Sequence, residues 1–261
     1  MAIRLDLAAE LLDRRPQDIG ETEWRLRIEL AACYRVFAHL GWTELIYNHI
    51  TLRVPGQPDA FLINPFGLNY DEVTARNLVK IGADGTPLQP TEHFVNRAGF
   101  VIHAAIHAAR ADAHCVMHTH TTAGMAVACK RDGLRHDDFY GAELWGDVAY
   151  HDFEGITVHD DEGPRLVASL ADKNVLVLRN HGMLVVGPDV FTAFRWMWTL
   201  QRACEVQVQA DALRGPNLEL TDPVRRACAR DARAFEPKGK LERLIFASLL
   251  RKAGIEPAAL I

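Results

Sequence analysis

The 261-residue chain has no uninterrupted apolar stretch near the roughly 18 residues that a membrane-spanning helix needs. Its first twenty residues carry Asp6, Glu10, Asp13 and Asp18 where a secretory signal places an apolar run, so a cytosolic location is expected. Excess basic charge is also missing. Lys and Arg number 29 against 34 Asp and Glu, a formal net charge of −5 with no basic stripe to offset it, and nucleic acid is not an expected partner. Cysteine is scarce and unpatterned: Cys33, Cys115, Cys129, Cys204 and Cys228 form no CxxC and read as small core residues in a reducing compartment. No Gly-x-Gly-x-x-Gly, Walker-type loop or Gly-x-Ser-x-Gly occurs, which removes the usual support for a nucleotide cofactor or serine hydrolysis. Linkers, charge blocks, low-complexity tracts and repeats are absent too. With 49% hydrophobic and 24% charged residues, 1–261 is expected to fold as a single α/β-type domain around one core.

Periodicity places the elements. Leu26, Leu30, Tyr34, Phe37 and Leu40 recur at helical spacing over Trp24–Leu40, and Gly41 follows as a stop. Ile50, Leu52 and Val54 alternate with Thr51 and Arg53 before a Gly56–Asp59 turn and Phe61–Ile63, which predicts an antiparallel hairpin. Further strands are expected at Leu78–Ile81, His114–Thr119, Asp147–Tyr150, Val175–Arg179 and Met183–Val186. Helices are expected at Arg97–Arg110, Thr121–Ala128, Pro164–Leu170, Val190–Leu213, from Asp222-Pro223 onward and at Leu241–Lys252. The sheet should hold six to eight strands linked mostly by hairpins. Val190–Leu213 carries Phe194, Trp196 and Trp198, more aromatic surface than one face buries alone, which points to an oligomer.

What the chain has in unusual supply is histidine, twelve in all, with six between His93 and His120. On a strand, His118 and His120 at i and i+2 project to one face and can converge on a metal ion; the competing reading is core or surface histidines at a strand end. His181, in the turn Asn180-His181-Gly182 between two apolar runs, is a natural third ligand, because the glycine lets the backbone bend and approach closely. Three imidazoles with open positions form a catalytic zinc-type centre that can act as a Lewis acid. A rival pair, His103 and His107, has i, i+4 helical spacing but lacks the glutamate that follows the first His in the metalloprotease motif. Its alternative is one buried histidine bonded to backbone and one partly exposed. Glu143 lies among apolar and aromatic neighbours, where burial raises a carboxylate pKa and suits proton transfer; an interface or helix-cap role is the competing reading. Tyr140 is a candidate proton donor or oxyanion binder, or a packed ring with its hydroxyl at the rim.

At these residues the sequence resembles the class II aldolase/adducin family. Met117-His-Thr-His120 before a small-residue helix, Arg179-Asn-His-Gly182 after an apolar strand, and Asn64-Pro-Phe-Gly67 in the hairpin match that family's landmarks in order and spacing. The resemblance runs from about Trp24 to Ala210, with the helices over 222–261 beyond it. Ala98–His103, Ala108–Arg110 and Leu144–Tyr150 are closer to the adducin head-like branch than to the sugar-phosphate aldolases. It implies a three-layer α/β/α fold around a mainly antiparallel sheet, a divalent metal, usually zinc, on His118, His120 and His181, and a homotetramer with active sites between subunits. The aldolase glutamate that moves a proton, four residues before His103, is replaced by Gly99, and Arg97-Ala98 stands where a phosphate-binding Ser-Ser pair is found.

Two functions are therefore expected as alternatives. One is a metal-dependent carbon–carbon lyase, aldolase or decarboxylase, working through a metal-stabilised enolate on a small hydroxy- or oxo-acid or sugar-derived substrate. His118, His120 and His181 hold the metal, Glu143 or Tyr140 moves the proton, and Asn48, Asn64, Gly67 and Arg97 line the substrate pocket. Arg97 is suited to a carboxylate. The other is a noncatalytic oligomeric module like the adducin head with a vestigial pocket.

Overall fold

The computed structural model describes residues 9, 11–156, 160–235 and 240–261, with only the backbone of Arg97, Ala98 and Asp160. Helix α1 (Glu21–Leu40) ends where Gly41 turns left-handed at φ 70° and donates its N–H to the Ala38 carbonyl. The hairpin follows as β1 (His49–Arg53) and β2 (Ala60–Ile63), in the register Leu52 opposite Leu62. Then come β3 (Val79–Gly82), α2 (Arg97–Ala109), β4 (Cys115–Thr119), α3 (Thr122–Ala128), α4 (Phe139–Glu143) and β5 (Val148–His151). The chain continues through α5 (Gly163–Leu170), β6 (Val175–Leu178), β7 (Gly182–Gly187), α6 (Val190–Ala212), α7 (Asp222–Ala234) and α8 (Lys240–Ala253).

The seven strands form one sheet in the order β3-β2-β1-β4-β7-β6-β5. Only the β5–β6 pairing is parallel. The expected α/β class with a mainly antiparallel sheet is therefore the one observed. The hairpin-rich connectivity holds only in part: β1–β2, β2–β3 and β6–β7 are sequence neighbours, whereas β4 reaches its place between β1 and β7 by helical crossovers.

Strand alternation sorts the side chains into layers. Ile50 and Leu52 of β1 and Cys115 and Met117 of β4 pack with α1 and α6 on one face. Val116 packs with Ile102 and Ile106 of α2 and Leu166 and Leu170 of α5 on the other. His49, Thr51 and His118 belong to this second face, where Thr51 meets His103 and His107 of α2.

Of the three aromatics behind the oligomer expectation, only Trp198 stays half-buried, on the wall of a surface cavity. Phe194 is fully buried and Trp196 only 8% exposed within one chain. Phe37, Trp42 and Phe246 stand 5.3–6.0 Å from the Phe194 ring, so α1, its trailing Trp42 and α8 wrap α6 from three sides. Burying the Phe194 ring contributes about 1.5–3 kcal/mol. Cys33, Cys115 and Cys204 are core residues as expected, while Cys129 is exposed and Cys228 half-buried. The five-residue helix α4 has no sequence counterpart among the expectations, since its Asp138 cap heads a segment too short for a periodic pattern.

Candidate metal centre

β4 carries His118 into the second layer, and the chain leaves the strand at His120 before α3 begins behind its Thr121 cap. His181 arrives from the β6–β7 turn, where Asn180 adopts φ 55° and the His181 N–H donates to the Leu178 carbonyl. Gly182 makes the approach possible: a Cβ there would meet the Thr119 carbonyl oxygen at 2.5 Å and His120 Cδ2 at 2.9 Å. The three imidazole rings stand 4.5–5.0 Å apart, and one ligand atom from each lies within 4.8 Å of the others. Among the described residues this is the one such group of His, Cys, Asp or Glu.

The donor set fits a divalent cation in its chemistry as well as its spacing. His118 Nδ1 lies 3.0 Å from the Met183 carbonyl, which can only accept, so the ring proton sits on Nδ1 and Nε2 is bare. That Nε2 is 2.7 Å from His120 Nε2. Burial, reinforced by the neighbouring imidazoles, holds the His118 pKa well below the usual range, and burial lowers that of His120 too. His181 is pushed down to about 4, first by burial and then by His120. All three are neutral at physiological pH, the form that binds metal.

A cavity of about 370 Å³ opens beside them, lined by His118, His120, His181, His49, Asn96, Gly99 and Ile102, with Tyr47, Met125, Phe153 and Ile156 adding apolar wall. His49 is a residue that the sequence reading did not single out. It pairs directly opposite His118 across β1–β4, which puts both rings on one face. The β1 alternation with Thr51 was the available signal, but it shows only after the β1–β4 register is known. Burial, offset in part by backbone hydrogen bonding, lowers the His49 pKa to about 4.

His103 and His107 are not part of the centre. The Thr51 hydroxyl oxygen lies 2.7 Å from His103 Nδ1 and 2.8 Å from His107 Nε2, and His107 Nδ1 lies 2.7 Å from the Ala113 carbonyl. Because that carbonyl only accepts, His107 carries its proton on Nδ1, Thr51 donates to His107 Nε2, and His103 Nδ1–H donates to Thr51. One of the pair was expected to be partly exposed, yet both are buried and share the Thr51 hydroxyl.

The other candidates are dispersed. Asn48 is 2% exposed, and neither amide atom has a hydrogen-bond partner among the described residues. Asn64 Oδ1 lies 2.9 Å from the Tyr34 hydroxyl, which also reaches the Ile50 carbonyl at 2.7 Å, so its side chain braces β1 and β2 against α1. Gly67 occupies a turn at φ 104° that favours glycine. The side chain of Arg97 lies outside the described residues. Glu143 and Tyr140 line a separate cavity of about 440 Å³ with Phe139, Arg195 and Trp198, and none of these residues lines the histidine cavity. Asp138 Oδ1 caps α4 through the Tyr140 and Gly141 N–H groups and so directs α4 onto α6 and α7. Burial raises the Glu143 pKa, and Arg195 counters part of it.

Residues 28–208 match the family model of the class II aldolase and adducin N-terminal domain. An aldolase II superfamily protein from Pseudomonas syringae superposes with a TM-score of 0.86 at 42% identity, covering 90% of this chain and 94% of its own. L-fuculose 1-phosphate aldolase from Glaciozyma antarctica does so at 0.77 and 27% identity, over 92% and 96%. Alpha-adducin of Mus musculus is 47% identical over 203 residues, 76% of this chain but only 28% of that longer protein. The chain belongs to the class II aldolase and adducin N-terminal domain family.

Proposed function

We propose that the chain is a divalent-metal-dependent carbon–carbon lyase, of aldolase or decarboxylase type, acting on a small hydroxy- or oxo-acid or a sugar-derived substrate. The observation that carries this reading is the convergence of three neutral imidazoles on the edge of a cavity of about 370 Å³, in a fold shared with an L-fuculose 1-phosphate aldolase. His118, His120 and His181 would hold the ion, zinc being the first candidate, and the ion when bound would supply Lewis acidity toward a substrate oxygen. The Met183 carbonyl fixes the His118 tautomer, and Gly182 lets the turn press against both strand-end histidines. Met125, Phe153 and Ile156 give the cavity an apolar wall.

Asn48, Asn64, Gly67 and Arg97 remain the proposed substrate contacts. Asn48 is best supported, because its buried amide is unpaired among the described residues. Tyr140 and Glu143 line a different cavity of the same chain, so proton transfer by either requires a second copy to present it. A homotetramer is proposed on that ground and on the family's habit. No described helix is long and apolar enough to cross a membrane, and a cytoplasmic location is the reading that goes with a small-molecule substrate. One observation favours the noncatalytic alternative: the close likeness to alpha-adducin, with Gly99 offering no side chain to the cavity.

The test is metal analysis of the purified protein followed by a panel of sugar phosphates and oxo- and hydroxy-acids. About one divalent ion per chain and metal-dependent turnover of an unphosphorylated acid are expected, with Glu143→Gln slowing turnover about 10²-fold or more while the ion stays bound. A protein that cannot be loaded with zinc, manganese or cobalt refutes the lyase, and efficient cleavage of a ketose phosphate refutes the expectation of an unphosphorylated acid.

A further inference from the structure

His49 is an expensive residue for the fold to keep. Its ring is 4% exposed, and its Nε2 has no hydrogen-bond partner among the described residues. A leucine of similar volume would fill the space against His103, 4.2 Å away between ring centroids, without stranding a polar atom. The opposing element is adapted to it as well. A Cβ on Gly99 would stand 2.5 Å from His49 Cε1 and 2.7 Å from Nδ1, so α2 must carry glycine in its first turn for the ring to fit. Gly99 is not among the residues with positive φ, so here the glycine serves space and not conformation.

The ring so accommodated lines the triad cavity, with its centroid 5.8 Å from that of His118. His49 nevertheless stands outside the group whose ligand atoms converge. Its Nδ1 lies a long 3.5 Å from the Tyr47 carbonyl, and the Gly99 backbone also bonds to the ring. A carbonyl can only accept, which assigns the ring proton to Nδ1 and leaves Nε2 a bare acceptor. Such an atom is satisfied by a hydrogen-bond donor, and a substrate hydroxyl is one.

We propose that His49 Nε2 accepts a hydrogen bond from a substrate hydroxyl in this cavity, making His49, in the room left by Gly99, the residue that selects hydroxy-acids over acids lacking the hydroxyl. This inference rests on the triad binding a metal, as in the function proposed above. No second ligand and no change of protonation state is involved.

The experiment titrates zinc into the metal-free protein by calorimetry, then glycolate or acetate into the zinc-loaded protein, for wild type, His49→Ala and Gly99→Ala. In His49→Ala, zinc affinity should stay within about twofold, while the glycolate Kd rises about tenfold and that of acetate does not move. Gly99→Ala keeps the imidazole but displaces it, and the same selective loss of glycolate is expected if His49→Ala proves poorly folded. Glycolate binding unchanged in both variants makes His49 a packing residue and overturns the proposal. Zinc affinity falling together with glycolate makes it a metal ligand and also overturns it. Wild type that binds zinc normally but glycolate no better than acetate refutes the hydroxyl assignment alone, whereas wild type that binds no zinc refutes the metal-centre reading and this inference with it.

Discussion

His103 and His107 are joined through the Thr51 hydroxyl and end on the Ala113 carbonyl, whereas His118, His120 and His181 aim nitrogens at one another beside a cavity. Both groups lie on the α2 side of the sheet, and burial depresses the pKa of every member. The difference is where the lone pairs go. In the first group His107 spends both ring nitrogens and Thr51 its hydroxyl on the protein itself, and only His103 Nε2 is left over, next to His49. In the second, His118 spends one nitrogen on Met183 and keeps the other toward its partners. Burial and a perturbed pKa do not separate a structural histidine from a ligand; the direction of the unspent nitrogen does.

Breaking the ligand group should give the largest effect. His118→Ala is expected to lower metal affinity at least about 100-fold, and His181→Ala likewise, both read as metal content after dialysis; His107→Ala should retain the ion. Retention of metal by His118→Ala would erase the contrast between the groups.

Breaking the structural group should act on stability instead. Thr51→Val leaves His103 Nδ1 and His107 Nε2 without partners at about 1–3 kcal/mol each, so a loss of about 2–6 kcal/mol is expected in urea unfolding. Metal stoichiometry should not change. Loss of metal at unchanged stability would mean that Thr51 belongs to the site.

Acid sharpens the comparison further. Burial pushes the His107 pKa down to about 3 against about 6.5 in the unfolded chain, so the unfolded state binds the extra proton between these values. Its contribution is fully present above pH 6.5 and is lost at about 1.4 kcal/mol per pH unit as the pH falls toward 3. His107→Gln should flatten the stability–pH slope between pH 6 and 4 by close to one proton. An unchanged slope would show that His107 titrates normally in the folded protein.

The smallest effect concerns Glu143. Since it lines a cavity that shares no wall with the histidine cavity, Glu143→Gln should alter zinc affinity by no more than about twofold, measured by calorimetry. A larger change would mean that chain association brings α4 to the metal.

What the sequence by itself determined is local. The spacing of Leu26, Leu30 and Tyr34 with Gly41 behind them suffices for α1, because the 3.6-residue period and a left-handed stop are properties of the segment alone. The i, i+2 placement of His118 and His120 likewise forces their rings together at a strand end, and Asn180-His181-Gly182 announces its turn. Tertiary structure decided everything that depends on which strand lies beside which. It brought His181 to a pair some sixty residues earlier through the β4–β7 pairing, and placed His49 opposite His118 through the β1–β4 register. It also fitted Gly99 of α2 against that ring and carried Glu143, on a short helix capped by Asp138, to another cavity. A one-residue slip of register would turn His49 to the opposite face, and no composition or spacing within β1 encodes its partner strand.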